Sequence, residues 1–279
     1  MSATQQRIAP APFDAVAARY DETFTSSKIG QAQRASVWRE LAKAFQPGDR
    51  TLEIGCGTAI DACFLAKRGV RVLACDSSPQ MIAVATRRIH ESGLHQLVQP
   101  LLLRAEDITT LHEHELFDGA LSNLGVLNCV ENLRGMARDL AALLKPGASA
   151  LLCWMGPYCA WETIWYLAHG KPRKAFRRLS REGVTARLSD GAFVHVRYPT
   201  VGALARTFAP EFRLESVKGI GVAVPPSYLE PWAQRHPSLL QFCERADSLM
   251  GRCPGIRVLG DHVLVRLQRE GAATGEGKR

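Results

Sequence analysis

Apolar and polar positions along the chain keep two rhythms, and the switches between them mark the elements. Short apolar runs bounded by glycine or polar residues predict strands over 51–54, 70–74, 98–103, 117–123 and 149–154. Between them the spacing is helical. Ile60, Phe64 and Leu65 share one side of 60–68, and Met81, Ile82, Ala85 and Ile89 share one side of 80–92. Gly69 and Gly93 stop these two helices, and Ser77-Ser78-Pro79 opens the second. A further helix ends near Leu144, before the turn Lys145-Pro146-Gly147. Upstream, helical spacing covers 13–25 and 31–45, the latter with Val37, Trp38, Leu41 and Phe45 on one face. Downstream come helices over 201–208 and 237–249 and strands over 212–217 and 262–267. Strands alternating with helices predict a parallel sheet covered on both sides.

One stretch carries recognisable chemistry, 51–76, TLEIGCGTAIDACFLAKRGVRVLACD. It reads as strand, tight turn Gly55-Cys56-Gly57-Thr58, helix and strand, with Glu53 before the turn and Asp76 ending the second strand. Glycines there let the backbone approach a ligand, and an acid at the second strand's end can accept from a ribose diol. A dinucleotide fingerprint wants a third glycine where Ile60 stands, and no phosphate-cradling G-x-x-x-x-G-K-[ST] occurs. An acid just before the first glycine suits a ligand with a cationic amino group and no pyrophosphate. These features predict a nucleoside site.

With Glu53, Gly55 and Gly57 in place, and Ala59 where the last glycine would stand, the turn resembles the first motif of the class I S-adenosylmethionine (SAM) methyltransferases. The resemblance extends to the Lys145-Pro146-Gly147 turn. Ala17, Tyr20 and Asp21 match an A-x-x-Y-D segment of the ubiquinone- and menaquinone-type enzymes. It implies an α/β fold, a doubly wound, seven-stranded, mostly parallel sheet, with a helical and β-hairpin lid. It implies SAM as cofactor and S-adenosylhomocysteine as product. Asp76 would accept from the ribose, Ser77 and Met81 would flank the adenine, and Asp107 or its competitor Glu106 would accept from the adenine amine. Glu53, Gly55, Cys56 and Gly57 would line the turn, Asn123 and Leu124 would lie near the amino or carboxylate end, and Tyr20 would fold over the methionine end. For Asn128 a helix-capping role explains the residue equally well. The expected organisation is an N-terminal helical cap (1–45), a SAM-binding core (46–156), a lid insertion (157–199), the rest of the core with a second insertion (200–269, insertion 220–257) and a disordered tail (270–279). Residues 1–12 read as a frayed tail.

Composition changes this picture little. The 279 residues are 46% hydrophobic and 22% charged, ordinary values for a globular chain. No apolar run approaches the roughly 18 residues of a membrane span, and the first residues show no export signal. The eight cysteines contain no C-x-x-C pair, which fits a reducing cytoplasm and neither a disulfide scaffold nor a metal site. The expected location is cytoplasmic. The strand over 117–123 is not followed by [ND]-P-P-[YF], and no Pro-Cys pair or acidic trio appears, so base-modifying and magnesium-assisted variants lose ground.

The substrate side falls in the last third. An aromatic-rich amphipathic helix with Trp161, Ile164, Trp165 and Leu167 leads into 171–187, with seven basic residues (Lys171, Arg173, Lys174, Arg177, Arg178, Arg181, Arg187) against Glu182. A hairpin over 184–188 and 193–198 turns at Ser189-Asp190-Gly191. The basic run reads either as a solvated face or as a surface for an anionic substrate, a membrane or nucleic acid. Candidate general bases are His169, Tyr166 and His195, with Tyr198 and Glu162 behind them. The expected function is methyl transfer to a small apolar or aromatic metabolite, with no nucleic acid favoured and a homodimer left open. The alternatives are methylation of RNA or protein through 171–187, and a non-catalytic SAM-binding module.

Overall fold

The computed structural model describes residues 11–112, 115–188 and 191–271. Most of the tail read over 1–12, Ser189 and Asp190 of the hairpin turn, and 272–279 lie outside the described residues. The chain enters through α1 (Ala17–Tyr20), a π-helical turn (Asp21–Thr25) and α2 (Lys28–Ala44). It then alternates β1 (Arg50–Ile54), α3 (Ile60–Ala66), β2 (Arg71–Asp76), α4 (Pro79–Glu91), β3 (Val98–Leu102), β4 (Phe117–Ser122), α5 (Leu133–Leu143) and β5 (Leu144–Trp154). The lid follows, α6 (Ala160–Ala168), α7 (Pro172–Ala175), β6 (Val184–Arg187) and β7 (Phe193–Val196). Last come α8 (Val201–Phe208), β8 (Phe212–Ile220), α9 (Glu230–Arg235), α10 (Pro237–Met250) and β9 (His262–Arg269).

Seven strands form one sheet in the order β3-β2-β1-β4-β5-β9-β8, with β6 and β7 as a separate antiparallel pair. The first five run parallel, and β9 is antiparallel to both β5 and β8. Both faces are buried, as a parallel sheet requires. Leu52, Ile54, Leu73 and Cys75 point toward α5 and α8, where Met136, Leu140, Leu204 and Phe208 close the core. Val72 and Ala74 face the other way, onto Val37, Leu41, Ala62, Leu65, Ala85 and Ile89 of α2, α3 and α4. Strand order reverses between β1 and β4, and the carboxyl edge at such a reversal is where ligands bind in open α/β sheets.

Local chemistry shifts several expected boundaries. The helix expected over 13–25 is a turn, one α-helical turn and a π turn. Ser27, whose hydroxyl accepts from Gly30 N, starts α2 three residues before the expected 31. Leu144 already pairs with Phe117, and the Lys145-Pro146-Gly147 turn bulges out before regular pairing resumes at Ser149. Asn128 does not cap a helix, because Asn132 caps α5 by accepting from Gly135 N. The Asn128 side chain instead donates to Met155 O (2.8 Å) and Arg197 O (2.6 Å) and accepts from Met155 N (2.9 Å). It thereby fastens the loop after β4 to the exit of β5 and to the hairpin.

The basic run over 171–187 does not present all its cations to solvent. The segment breaks after Ala175 into a 3-10 turn, and Arg178 turns inward. Arg178 donates to Glu162 Oε2, Asp261 O and Asp261 Oδ1, while Arg177 Nε reaches Glu162 Oε1 at 2.6 Å. Glu162 is therefore a buried ion-pair partner and not a free base. Burial works against the Arg178 charge, but Asp261 and Glu162 raise its pKa further, so it stays cationic.

Asn128→Ala should remove the side-chain partner of two part-buried carbonyls and one part-buried amide N–H. A loss of roughly 2–4 kcal/mol in urea unfolding is expected, and an unchanged midpoint would mean that the clamp adds nothing.

Candidate nucleoside site at the carboxyl edge

The turn after β1 is closed from below. Gly55 N and Cys56 N both donate to Cys75 O, each at 2.8 Å, which seats the turn on the end of β2. Gly55, Gly57 and Ala59 all have positive φ. A side chain at Gly55 would strike Val126, whereas the space beside Gly57 is open on the side where a Cβ would stand. Ala59, at φ 57°, occupies the left-handed region that glycine occupies more readily. Its consequence is local strain at the helix start.

Asp76 holds the second loop. Its Oδ2 accepts from Gly57 N (2.8 Å) and its Oδ1 from Ser78 N (2.9 Å). Burial pushes its carboxyl pKa up against these main-chain bonds, which pull it down. The Ser78 hydroxyl accepts from Met81 N, capping α4, and donates to Asp14 Oδ1 at 2.5 Å. Asp21 accepts from Thr58 Oγ1 at 2.8 Å and pairs with Arg88. Thus two acids of the N-terminal segment latch it over the glycine turn.

Beneath that latch lies a charged cluster. Asp61, in the first turn of α3, accepts from Arg34 Nη1 (2.6 Å), Trp38 Nε1 (2.6 Å) and Asn123 Nδ2 (2.9 Å). All three donors reach it from other elements, and both members of the Arg34–Asp61 pair are nearly fully buried. Trp38 also stacks on Phe64 of α3, with ring centroids 4.4 Å apart. Glu53 is buried beside this cluster, with a backbone bond at Ala62. Its Oε2 has no partner among the described residues, and neither has Arg34 Nε. Burial, helped by Asp61, drives the Glu53 pKa well above the usual carboxylate range. Tyr20 sits close enough for its phenol to feel burial first and then Arg34, Asp61 and Asp76, with a net rise in its pKa.

The structure brings Tyr20, Glu53, Gly55, Cys56, Gly57, Asp76 and Asn123 around one place. Asn123 Oδ1 accepts from Leu124 N, and Leu124 turns at φ 51°. Met81 is buried under the start of α4, while Ser77 is exposed at the loop tip. Asp107 is exposed and Glu106 is half-buried, both within reach of Arg104. Three candidates do not converge. His169 is exposed with Nδ1 2.7 Å from Trp165 O, and His195 is exposed with Nε2 2.7 Å from Glu182 O. Tyr166 lies between Tyr228 and the cations Lys174 and Arg177.

Sequence reading missed Arg34, Trp38, Asp61 and Asp14 as site-building residues, while Asp21 stands out there only as part of the A-x-x-Y-D match. One signal was available: Arg34 and Trp38 stand four apart, hence on one face of α2. Among the described residues no group of His, Cys, Asp and Glu could hold a metal ion, and no helix is long and apolar enough to cross a membrane.

Against this geometry the comparisons are specific. A family model described as a methyltransferase domain matches residues 52–150. A demethylmenaquinone methyltransferase of Mycobacterium sp. (strain KMS) is 32% identical over 145 residues, covering 50% of this chain and 56% of that protein. The enzyme of that description from Mycobacterium marinum is 31% identical over 171 residues, covering 58% of this chain and 68% of its own length. The chain thus spans little more than half the length of the first curated relative it matches. Among solved structures, a SAM-dependent methyltransferase from Listeria monocytogenes superposes with a TM-score of 0.62 at 20% identity, covering 86% of this chain and all of that one, a likeness of fold. The glycine turn, the strand order and these relatives define the class: the chain belongs to the class I SAM-dependent methyltransferases, of the menaquinone type.

Asp61→Asn should leave the buried Arg34 charge without its counter-ion. A destabilisation of roughly 3–5 kcal/mol in chemical unfolding is expected, and a loss below roughly 1 kcal/mol would show that the pair is not the keystone of α2 packing.

Proposed function

We propose that the protein transfers the methyl group of SAM to a small, largely apolar or aromatic acceptor. The observation that carries the reading is the buried Glu53 carboxylate, one oxygen unpartnered, beside an Arg34 guanidinium with its own free Nε. Together they fit the ammonium and carboxylate of an amino-acid end, with Asn123 next to them. Asp76 has lone pairs left for the ribose hydroxyls, Met81 and Ser77 border the adenine, and Glu106 or Asp107 serves its exocyclic amine. Gly57 leaves room for the chain between the two ends. SAM supplies, when bound, a methyl group already activated on a sulfonium.

The protein's part is then chiefly orientation. Holding donor and acceptor in line, in a site closed by the Asp14 and Asp21 latches, is worth up to roughly 7–11 kcal/mol. Acid–base help has a narrow basis here. Burial raises the phenol pKa values of Tyr198 and Tyr228, so at neutral pH they donate hydrogen bonds and do not remove protons. Trp161, Tyr166, Tyr198 and Tyr228 favour an aromatic or apolar acceptor, and the curated relatives' name makes a demethylated quinone precursor the first compound to assay. The RNA or protein alternative loses support because Arg177 and Arg178 are turned onto Glu162 and Asp261.

The test is incubation of the protein with methyl-labelled SAM and the reduced demethylated quinone, a phenol series, RNA and cell protein as acceptors. Label in a small aromatic product is expected. Label in RNA or protein would overturn the acceptor class, and SAM binding without transfer to any acceptor would favour a sensor. A pH signature follows from Glu53. Burial raises its pKa in the free protein, whereas a bound ammonium favours the carboxylate and lowers that pKa again. Binding should therefore release a proton, and affinity for S-adenosylhomocysteine should rise with pH until the raised pKa is passed. Calorimetry in buffers of different ionisation enthalpy reads this directly. Equal heats in all buffers, or a signal unchanged in Glu53→Gln, would remove Glu53 from the ammonium site.

A further inference from the structure

The lid has its polarity reversed. A surface helix normally buries its apolar side, yet the one buried residue of α6 is Glu162, while Ile164 is 66% exposed and Trp165 and Leu167 stand outward with it. The inversion continues through the 3-10 turn after α7, where Phe176 and Leu179 are each about half exposed and Arg178 is buried. The two helices pack on each other, so these side chains crown one helical hairpin. Interleaved with them are Lys171, Arg173, Lys174 and Arg181, all exposed and without an ion pair among the described residues. Glu162 is taken up by Arg177 and Arg178, which leaves Glu182 as the exposed acid of the segment.

From this juxtaposition we propose that the α6–α7 hairpin is a docking face for the surface of an anionic lipid bilayer. Long cationic side chains set among protruding aliphatic and aromatic groups suit the boundary between headgroups and acyl chains, where the stems lie in apolar surroundings and the charges reach phosphates. A second copy of the chain fits poorly, because a two-fold contact through this face would set the same four cations against one another. Single-stranded nucleic acid would match the charge. It would leave Ile164, Leu167 and Leu179 unused, since aliphatic side chains offer no stacking surface. Bulky apolar residues so exposed, beside unpaired cations, match the one partner that supplies both negative charge and hydrocarbon. The inference rests on this surface alone and stands or falls independently of the acceptor.

The experiment is co-sedimentation of the full chain with vesicles of phosphatidylcholine, with and without phosphatidylglycerol. Binding is expected only where phosphatidylglycerol is present, and it should weaken with salt. Lys171→Glu with Arg173→Glu should weaken it by at least twentyfold, about fivefold for each cation lost. Ile164→Ser with Leu167→Ser should weaken it at constant charge, and Arg87→Glu with Arg138→Glu, exposed on α4 and α5, makes the same change of net charge elsewhere. Thermal unfolding of each variant keeps misfolding apart from loss of the surface. No binding to anionic vesicles would overturn the proposal, as would equal loss in the α4–α5 double variant, binding indifferent to the apolar pair, or capture of RNA but not vesicles.

Discussion

A single buried carboxylate holds the nucleoside-binding end of this protein in shape. Asp61 lies in the first turn of α3, where the helix dipole favours a negative charge, but away from water it still needs partners. It draws them from three other places: Arg34 and Trp38 on successive turns of α2, and Asn123 at the exit of β4. α2 is therefore set against the sheet by directional bonds as well as by Val37 and Leu41. The consequences spread outward. Asn123, fixed by its amide, offers its oxygen to Leu124 N and sets the left-handed bend there. Arg34, fixed by one nitrogen, presents the rest of its guanidinium to the space under Tyr20.

A second cluster repeats the logic on the lid. Glu162, Arg178 and Asp261 satisfy one another away from water, and Asp261 begins the approach to β9 at the carboxyl edge. The two clusters meet on α2. Gln33 donates to Asp261 Oδ2 at 3.3 Å while its neighbour Arg34 donates to Asp61. His262, next in sequence and buried, is kept neutral by that burial in spite of Asp261. Since ion pairs of this kind are costly to leave half made, the lid is anchored inward by charge. Its apolar residues are left on the outside as a result of that anchoring.

What could be read from the chain was local. Strand and helix periods, the glycine turn and Asp76 depend on neighbours within a few residues, and the seven-stranded sheet was implied by the family resemblance those residues carry. The charge clusters depend on partners far apart. Arg34 and Asp61 are 27 residues apart, and Arg178 and Asp261 are 83 apart, so neither pairing leaves a mark in any short window. The run over 171–187 was legible only in part for the same reason, because charge density along a chain says nothing about which guanidinium turns inward. His169 and His195 stood out by residue type alone, yet main-chain carbonyls of their own segments lie at hydrogen-bond distance from their ring nitrogens. The segment over 13–25 kept its helical spacing but broke into a turn, one α-helical turn and a π turn, and Asp21 in the last of these bonds to Arg88 and Thr58.

The unpaired atoms argue most directly for the ligand's chemistry. Folded proteins leave very few buried polar atoms without partners. Glu53 Oε2 and Arg34 Nε are two such atoms, of opposite character and close enough for each residue to shift the other's pKa. Arg34 is fixed by Asp61, and Glu53 by β1 and the backbone at Ala62, so neither unpartnered atom belongs to a loose side chain. A cation would find an acceptor at one end of the gap and an anion would find a donor at the other. A neutral apolar ligand would leave both unsatisfied, and an all-anionic one would meet Glu53. The group that answers both is a zwitterion, and an amino acid joined to a nucleoside answers Asp76 as well.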